Sequence, residues 1–121
     1  MEHGLRDVKE LTVWQVGIQV CKQVYRVTGS FPFDERFGLT AQMRRAAVSV
    51  PSNLAEGYGR GTRKDYRQFV CIARGSACEL ETQAIIAQEL GLLDAEQGTS
   101  VLDEINRLLQ LLSGLARSLD T

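Results

Sequence analysis

RRAAVSVPSNLAEGYGRG, the stretch from Arg44 to Gly61, decides the fold because it holds both a proline and a cluster of glycines. Since the apolar positions keep helical spacing on both sides of Pro51, the pattern predicts one helix that continues through the proline with a kink. The side chains placed to bond the backbone groups freed there are those of Ser49, Ser52 and Asn53. The glycines predicted to end this helix in a turn are Gly57, Gly59 and Gly61.

Apolar residues recur at helical spacing in four segments of the chain. The first stripe is Val13, Val16, Val20, Val24 and Val27. The second is Leu39, Met43, Ala47, Val50 and Leu54. The third is Tyr66, Phe69, Ala73, Ala77, Leu80, Ala84 and Ala87. The fourth is Val101, Ile105, Leu108, Leu112, Leu115 and Leu119. No segment alternates with a period of two, so the sequence predicts an all-α, antiparallel up-and-down four-helix bundle with helix 2 kinked at Pro51.

Capping and terminating residues separate the four segments. Thr12 with Gln15 has the spacing of a capping box, and Thr62 has Asp65 three residues after it. The predicted starting residues are Thr12, Asp34 or Glu35, Thr62 and Asp94, and the predicted terminators are Gly29, Pro32, Gly57 to Gly61, and Gly91.

The chain length of 121 residues favours one domain over residues 1–121, with residues 1–10 as a flexible N-terminal arm. A hydrophobic content of 44% is ordinary for a globular protein and argues against disorder. Helices one and four carry more apolar residues than one stripe requires, and this surplus predicts self-association.

Cysteine usage and terminal composition indicate the compartment. Cys71 and Cys78 lie two helical turns apart, which fits either two small buried residues or a metal or redox pair, and the burial preference of free cysteine favours the first. The first ten residues carry charges of both signs, unlike a signal peptide. Apolar runs fall far short of the ~20 residues that span a bilayer. The sequence therefore predicts a cytoplasmic protein with no membrane partner.

Side chains typical of catalysis or metal binding are scarce. His3 is the only histidine and lies in the predicted arm, so the Glu-x-x-His pairs of di-iron bundles are missing. Glu79 and Glu81 point to different sides of a helix, unlike an acid–base pair. The glycines of 57–61 follow a helix, whereas a dinucleotide-binding loop follows a strand. The sequence predicts a non-enzymatic protein without metal or cofactor.

The net charge of -1 conceals a strong separation of charge along the chain. Residues 36–74 hold eight cations against two anions, a net +6, whereas residues 79–121 hold eight anions against two cations, a net −6. Seven of the eight central cations are arginine, which suits paired contacts with phosphate oxygens. The candidate nucleic-acid-binding residues are Arg44, Arg45, Arg60, Arg63, Lys64, Arg67 and Arg74.

Two interpretations of this basic segment are open. In the first, cations cluster at the start of the third helix, where an N-terminus attracts phosphate, and Tyr58 and Tyr66 stack on bases. In the second, the cations form ordinary ion pairs with acidic segments of the same chain or of a neighbouring subunit.

Several segments resemble the small four-helix-bundle proteins encoded by intervening sequences of bacterial 23S ribosomal RNA genes. They are Leu11–Trp14 (LTVW), Phe37–Gln42 (FGLTAQ), Arg44–Gly57 with Tyr58–Gly61, and Ala73–Ala77 (ARGSA) with Glu79–Gln83 (ELETQ). The run Arg-Ala-Ala-x-Ser-x-Pro-x-Asn-x-Ala-Glu-Gly is the most specific of these. The resemblance covers about residues 11–93 and then fades into a generic amphipathic fourth helix.

This resemblance implies an up-and-down bundle that assembles as a ring-shaped homopentamer. It also implies kinship with the accessory protein of diversity-generating retroelements, a basic pentamer that binds nucleic acid and its reverse transcriptase. The expected function is a non-enzymatic homo-oligomer that contacts RNA or DNA through the basic segment. The alternative is a structural or adaptor module that binds a partner protein, such as a reverse-transcriptase-like enzyme, without touching nucleic acid. Within the motif, Glu56 suits an ion pair with Arg44 or Arg74.

Overall fold

Four α-helices make up the structure, a computed structural model that describes residues 8–120. The helices are α1 (Thr12–Thr28), α2 (Leu39–Gly59), α3 (Arg63–Glu89) and α4 (Ala95–Ser118), and two short 3-10 turns cover Val8–Glu10 and Phe33–Glu35. No strand occurs in residues 8–120, so the all-α class is confirmed. Most of the predicted flexible arm, with His3, lies outside the described residues, while residues 8–10 form the first 3-10 turn.

Each helix packs against the next one in sequence, and α1 also packs against α4, which closes a four-helix bundle. Between α2 and α3, Gly57 faces Phe69, whereas Ser49 bonds Ser76. Between α1 and α2, Gly17 faces Pro51 at one end of the contact, and Arg44 bonds Thr28 near the other end.

The predicted stripes form the core. Every predicted stripe residue of α1 and α2 is buried. In the other two helices only Phe69 and Leu115 are half-buried rather than buried. One continuous cluster therefore joins the inner faces of all four helices.

Two features predicted at helix starts differ from the structure, although α1 does begin at Thr12. Leu11 occupies the N-cap of α1, and the Gln15 amide donates 3.0 Å to the Lys9 carbonyl, so the predicted capping box on Thr12 was wrong. The second helix begins at Leu39, because Asp34 and Glu35 belong to a separate 3-10 turn. A carboxylate oxygen of Glu35 instead accepts a hydrogen bond from the Leu39 amide at 3.1 Å, so this side chain supports the start of α2 from outside it.

Helix α2 is continuous through Pro51, as its apolar spacing predicted. The Asn53 amide donates to the Ser49 carbonyl at 2.8 Å and to the Ser49 hydroxyl at 2.9 Å. That hydroxyl also lies 2.8 Å from the hydroxyl of Ser76 on α3. Polar side chains near the proline thus tie α2 to itself and to its neighbour, and the kink itself stays a prediction.

Three of the predicted helix boundaries are confirmed in detail. The Thr62 hydroxyl accepts from the Asp65 amide at 3.1 Å, and Asp94 with Gln97 forms a reciprocal capping box. After α3 the chain turns at Gly91, whose φ of 76° favours glycine, and the Leu92 amide donates to the Ala87 carbonyl at 2.9 Å.

The exposed apolar residues do not lie mainly on α1 and α4, where the sequence predicted a surplus. The extra leucines of α4 are half-buried against the core. Large exposed apolar residues are Tyr25, Phe33, Phe37, Val48, Ile72, Ile85, Ile86 and Leu90, so most of them belong to α3 and the connections. The expectation that Cys71 and Cys78 are both buried was wrong, since Cys71 is half-buried and Cys78 is exposed.

Candidate nucleic-acid interface

Four cations gather where α2 ends and α3 begins. Arg60 is the C-cap residue of α2, and Arg63, Lys64 and Arg67 lie in the first turns of α3. We call these four residues the basic cluster. Arg60, Arg63 and Lys64 are exposed and Arg67 is half-buried. Because Thr62 caps α3, the start of this helix lies beside these charges, and helix N-termini attract anions.

The C-terminal end of α4 positions part of the basic cluster. Arg63 donates to the Ser118 carbonyl at 2.6 Å, and Arg67 forms an ion pair with Asp120. A carbonyl at the end of a helix carries partial negative charge, so it is a favourable partner for a guanidinium. These contacts fix the two arginine side chains at one end of the bundle.

At the other end of the basic cluster, Arg60 contacts a side chain of α2. Arg60 forms a 3.0 Å ion pair with Glu56, and its guanidinium lies 5.0 Å from the centre of the Phe69 ring. The expected partners of Glu56 were Arg44 or Arg74, and the structure replaces them with Arg60, one helical turn away. Together with Arg67 and Asp120, this pair shows that ion pairing within the chain uses part of the basic segment.

Lys64 differs from its neighbours. Its side chain is exposed and has no hydrogen bond or ion pair to any residue between 8 and 120. An exposed ammonium group without a partner among these residues is a strongly hydrated point charge, ready to contact an external anion.

Arg44 and Arg45 lie far from the basic cluster. They are about 24 Å from Arg60 along the axis of α2, given a rise of about 1.5 Å per residue. Arg44 donates to the Thr28 hydroxyl at 2.9 Å and to the Tyr25 carbonyl at 3.4 Å, and its guanidinium lies 4.5 Å from the Tyr25 ring centre. It therefore secures the C-terminal turn of α1.

Arg45 lines a small polar cleft between α2 and α3, with a volume of about 250 Å³. The other lining residues are Gln42, Glu79 and Gln83. Gln83 is buried, and its side-chain oxygen has no hydrogen-bond partner in the part of the chain that the structure describes. Arg74, the last predicted site residue, is half-buried on α3, seven residues beyond Arg67.

The tyrosines predicted to stack on bases pack against each other instead. Tyr66 is buried, and its ring meets that of Tyr58 edge to face with the centres 5.5 Å apart. Burial, and secondarily the neighbouring Tyr58, raises the pKa of Tyr66 to about 12. Tyr58 is half-buried against the core. This pair packs the junction of α2 and α3 beneath the basic cluster.

A shallow cleft of about 520 Å³ lies beside the basic cluster and was not predicted from the sequence. We call it the α3 cleft; its lining residues are Lys64, Arg67, Gln68, Cys71 and Ile72. The signal available in the sequence was the spacing of Lys64, Gln68 and Ile72, four residues apart, which places a charge, an amide and an isoleucine on one helical face.

Among residues 8–120, no group of three or more His, Cys, Asp or Glu residues could hold a metal ion. None of the helices described is long and apolar enough to cross a membrane.

These features define a class of protein: a small four-helix bundle with cations concentrated at one helix junction. The chain belongs to the family of 23S rRNA-intervening sequence proteins, whose family model matches residues 9–114. Its fold is similar to that of a solved protein of unknown function from the S23 ribosomal protein family of Bacteroides thetaiotaomicron VPI-5482. The two share 18% identity with a TM-score of 0.80, covering 87% of this chain and 95% of the other. No curated protein matches this chain in sequence.

Proposed function

We propose that this protein is a non-enzymatic, homo-oligomeric binding protein that contacts the backbone of RNA or DNA through the basic cluster. The observation that carries the proposal is the convergence of Arg60, Arg63, Lys64 and Arg67 at the N-terminus of α3. Phosphate groups supply most of the affinity in such complexes, and arginine with lysine at a helix start matches them in charge and geometry.

The proposed interface is narrower than the seven residues predicted from the sequence. Arg44 bonds the end of α1, and Arg45 and Arg74 lie on α2 and α3 at a distance from the basic cluster. These three residues are therefore left out of the proposed interface.

We further propose an antiparallel up-and-down order of the helices and a cytoplasmic homopentamer, as the family resemblance implies. Support for the helix order comes from paired contacts between α3 and α4. Arg63, at the start of α3, bonds Ser118 at the end of α4, whereas Gln88, near the end of α3, faces Gly98 near the start of α4. Light scattering at micromolar concentration tests the assembly, and a monomeric mass would contradict it.

Fluorescence anisotropy with a labelled 20-nucleotide RNA tests the nucleic-acid proposal. The double substitution Arg60→Ala/Lys64→Ala is expected to weaken binding and to lower the salt dependence by about 0.7 per lost contact to a single strand. Lys22→Ala, an exposed cation on α1, is the matched control and should bind like the wild type. Wild-type protein that binds neither RNA nor DNA at low salt would overturn the proposal.

The alternative function is an adaptor that binds a partner protein. It is favoured by the connection between α1 and α2, where Phe33 and Phe37 are 73% and 81% exposed. The Arg36 guanidinium lies 3.8 Å from the centre of the first ring and 4.5 Å from that of the second. Exposed aromatic residues with arginine are enriched at the centres of protein interfaces. Phe33→Ala/Phe37→Ala should leave RNA binding intact, and lost recruitment of a partner enzyme would favour this alternative.

A further inference from the structure

The α3 cleft combines charged and apolar side chains on one face of a single helix. Lys64 and Arg67 form its cationic end, Cys71 and Ile72 form its apolar end, and Gln68 lies between them along the helix. We propose that this cleft takes an unpaired base of a single-stranded nucleic acid while the cations hold its phosphates. The inference rests on the proposed function and narrows its ligand from nucleic acid in general to single strands.

Size and charge fit this occupant. From Lys64 to Ile72 the cleft runs about 12 Å along α3 at about 1.5 Å per residue. Its volume of about 520 Å³ falls in the range of small-molecule sites and is ample for one base. The neighbouring Arg60 and Arg63 extend the positive charge beyond the cleft, so phosphates on either side of an inserted base would meet cations.

The apolar half of the cleft is what points to a base. Contacts to a duplex backbone need only cations and hydrogen-bond donors, and a duplex keeps its bases stacked with only their edges accessible. Ile72 is 44% exposed at the apolar end of the cleft, five residues along α3 from Arg67, and phosphate makes no favourable contact with such a side chain. An unstacked base does, because it presents an apolar face. The Gln68 amide both donates and accepts hydrogen bonds, as the edge of a base requires.

The aromatic rings near the basic cluster do not provide this surface. Tyr66 is buried and the Phe69 ring lies beneath the Arg60 guanidinium. Apolar contact within the cleft therefore comes from Cys71 and Ile72.

Three labelled probes of equal length test the inference with the full chain. They are a non-self-complementary 20-nucleotide RNA, its duplex with the complementary strand, and an abasic 20-mer that keeps the backbone phosphates but has no bases. We expect the single strand to bind several-fold tighter than the abasic strand, and tighter than the duplex, because only the single strand offers an unstacked base to Cys71 and Ile72.

Variants separate the two halves of the cleft. Ile72→Gln should remove the preference for the single strand, because it replaces the apolar contact while keeping a good helix former. Ile86→Gln is the matched control: Ile86 lies fourteen residues farther along α3, on the same face and with the same 44% exposure. Lys64→Ala should weaken binding of all three probes.

Alkylation of the cysteines gives a second readout, which reports whether the bound strand covers Cys71 rather than how tightly it binds. With iodoacetamide and peptide mapping, the single strand should slow modification of Cys71 by about threefold or more relative to the exposed Cys78, because reaction needs an accessible thiolate. The abasic strand should leave this ratio unchanged.

The outcomes distinguish this inference from the proposed function. Equal affinity for all three probes, unchanged by Ile72→Gln, overturns base insertion and leaves backbone binding intact. Failure of the wild type to bind any probe at low salt overturns the proposed function as well. A change in oligomeric mass on Ile72→Gln with an unchanged preference for the single strand would make the cleft a contact between copies, and the inference would be wrong.

Discussion

Gly57 of α2 faces Phe69 of α3 so closely that a methyl group on the glycine would lie 2.5 Å from the Phe69 Cβ. Carbon atoms that are not bonded do not approach to this distance. The two helices therefore touch at this point only because the residue on α2 has no side chain. This contact lies one turn before Arg60 and Gly61, so it also determines how the basic cluster is presented.

We expect Gly57→Ala to destabilise the fold by about 1–3 kcal/mol, because α2 and α3 must move apart to admit the methyl group. Urea denaturation measures the loss. Gly59→Ala is the control: it lies in the same helix, and an added Cβ would have no described atom within 4 Å. That variant should be neutral or slightly more stable, and equal stability of both variants would contradict the close contact.

Arg44 and Arg45 are neighbours with different environments, and we expect different effects on stability. Arg44→Ala should cost about 1–2 kcal/mol, because it removes hydrogen bonds from a charged donor to the last turn of α1. Arg45→Ala should change stability by less than about 0.5 kcal/mol, as is usual for an exposed side chain. Thermal unfolding of both variants followed by circular dichroism makes the comparison, and equal effects would show that Arg44 does not support α1.

Asp94→Ala is expected to destabilise the protein by about 1 kcal/mol, since the carboxylate accepts the Gln97 amide and begins α4. In the wild type, the hydrogen bond from the Gln97 amide to the Asp94 carboxylate is 2.8 Å long. Asp94→Asn retains an acceptor of the same shape and should keep most of the stability. Chemical denaturation of the pair checks this, and an Asn variant as unstable as the Ala variant would argue that charge rather than the cap matters.

Alkaline pH should unfold this protein partly through Tyr66. Burial raises the pKa of Tyr66 to about 12 in the folded protein, against about 10 for an unfolded tyrosine. Below pH 10 both states keep the proton, so stability is complete there. Between pH 10 and 12 only the unfolded state loses the proton, so stability falls by at most about 1.4 kcal/mol per pH unit from this group.

The matching measurement is the dependence of the unfolding free energy on pH. Tyr66→Phe should show a shallower decline above pH 10 than the wild type, because it lacks the group that ionises more readily in the unfolded state. Identical slopes for the two proteins would mean that Tyr66 ionises as readily in the folded as in the unfolded state.

Gln83→Met should leave the protein as stable or more stable by about 1 kcal/mol, because the buried amide oxygen of Gln83 lacks a hydrogen-bond partner among residues 8–120. Methionine has a similar length and fills the same space without that polar atom. Gln42→Met, at an exposed position in the same cleft, is the control and should change stability little. A clear loss of stability in Gln83→Met would indicate that its amide has a structural partner.

Local patterns in the sequence predicted most of the fold. The stripes of α1 and α2 are fully buried, and the caps at Thr62 and Asp94 form as their spacing indicated, because these features depend on residues within one or two helical turns. The capping box on Thr12 and the start of helix 2 near Asp34 were wrong, because other local bonds form there. The Gln15 amide donates to the Lys9 carbonyl and the Leu39 amide donates to the Glu35 carboxylate, so spacing alone does not select the first residue of the helix.

The candidate site was harder to predict, because it depends on which side chains meet from distant segments. The sequence placed Arg60, Arg63, Lys64 and Arg67 together around the glycine loop and the start of helix 3, and ranked them with three more distant cations. Only the packed helices separate Arg44, which secures α1, from the basic cluster, and only they bring Asp120 to Arg67. The exposure of Ile72 likewise depends on where neighbouring helices lie around α3.

The sequence by itself determined the helices, their boundaries at glycine turns and the separation of +6 from −6 along the chain, because helical spacing, capping and charge are properties of neighbouring residues. The tertiary structure alone decided which of the cations are engaged by partners from other helices of the protein. The physical reason is that hydrogen bonds and ion pairs act over a few ångströms, so their partners are chosen by packing between helices rather than by order along the chain.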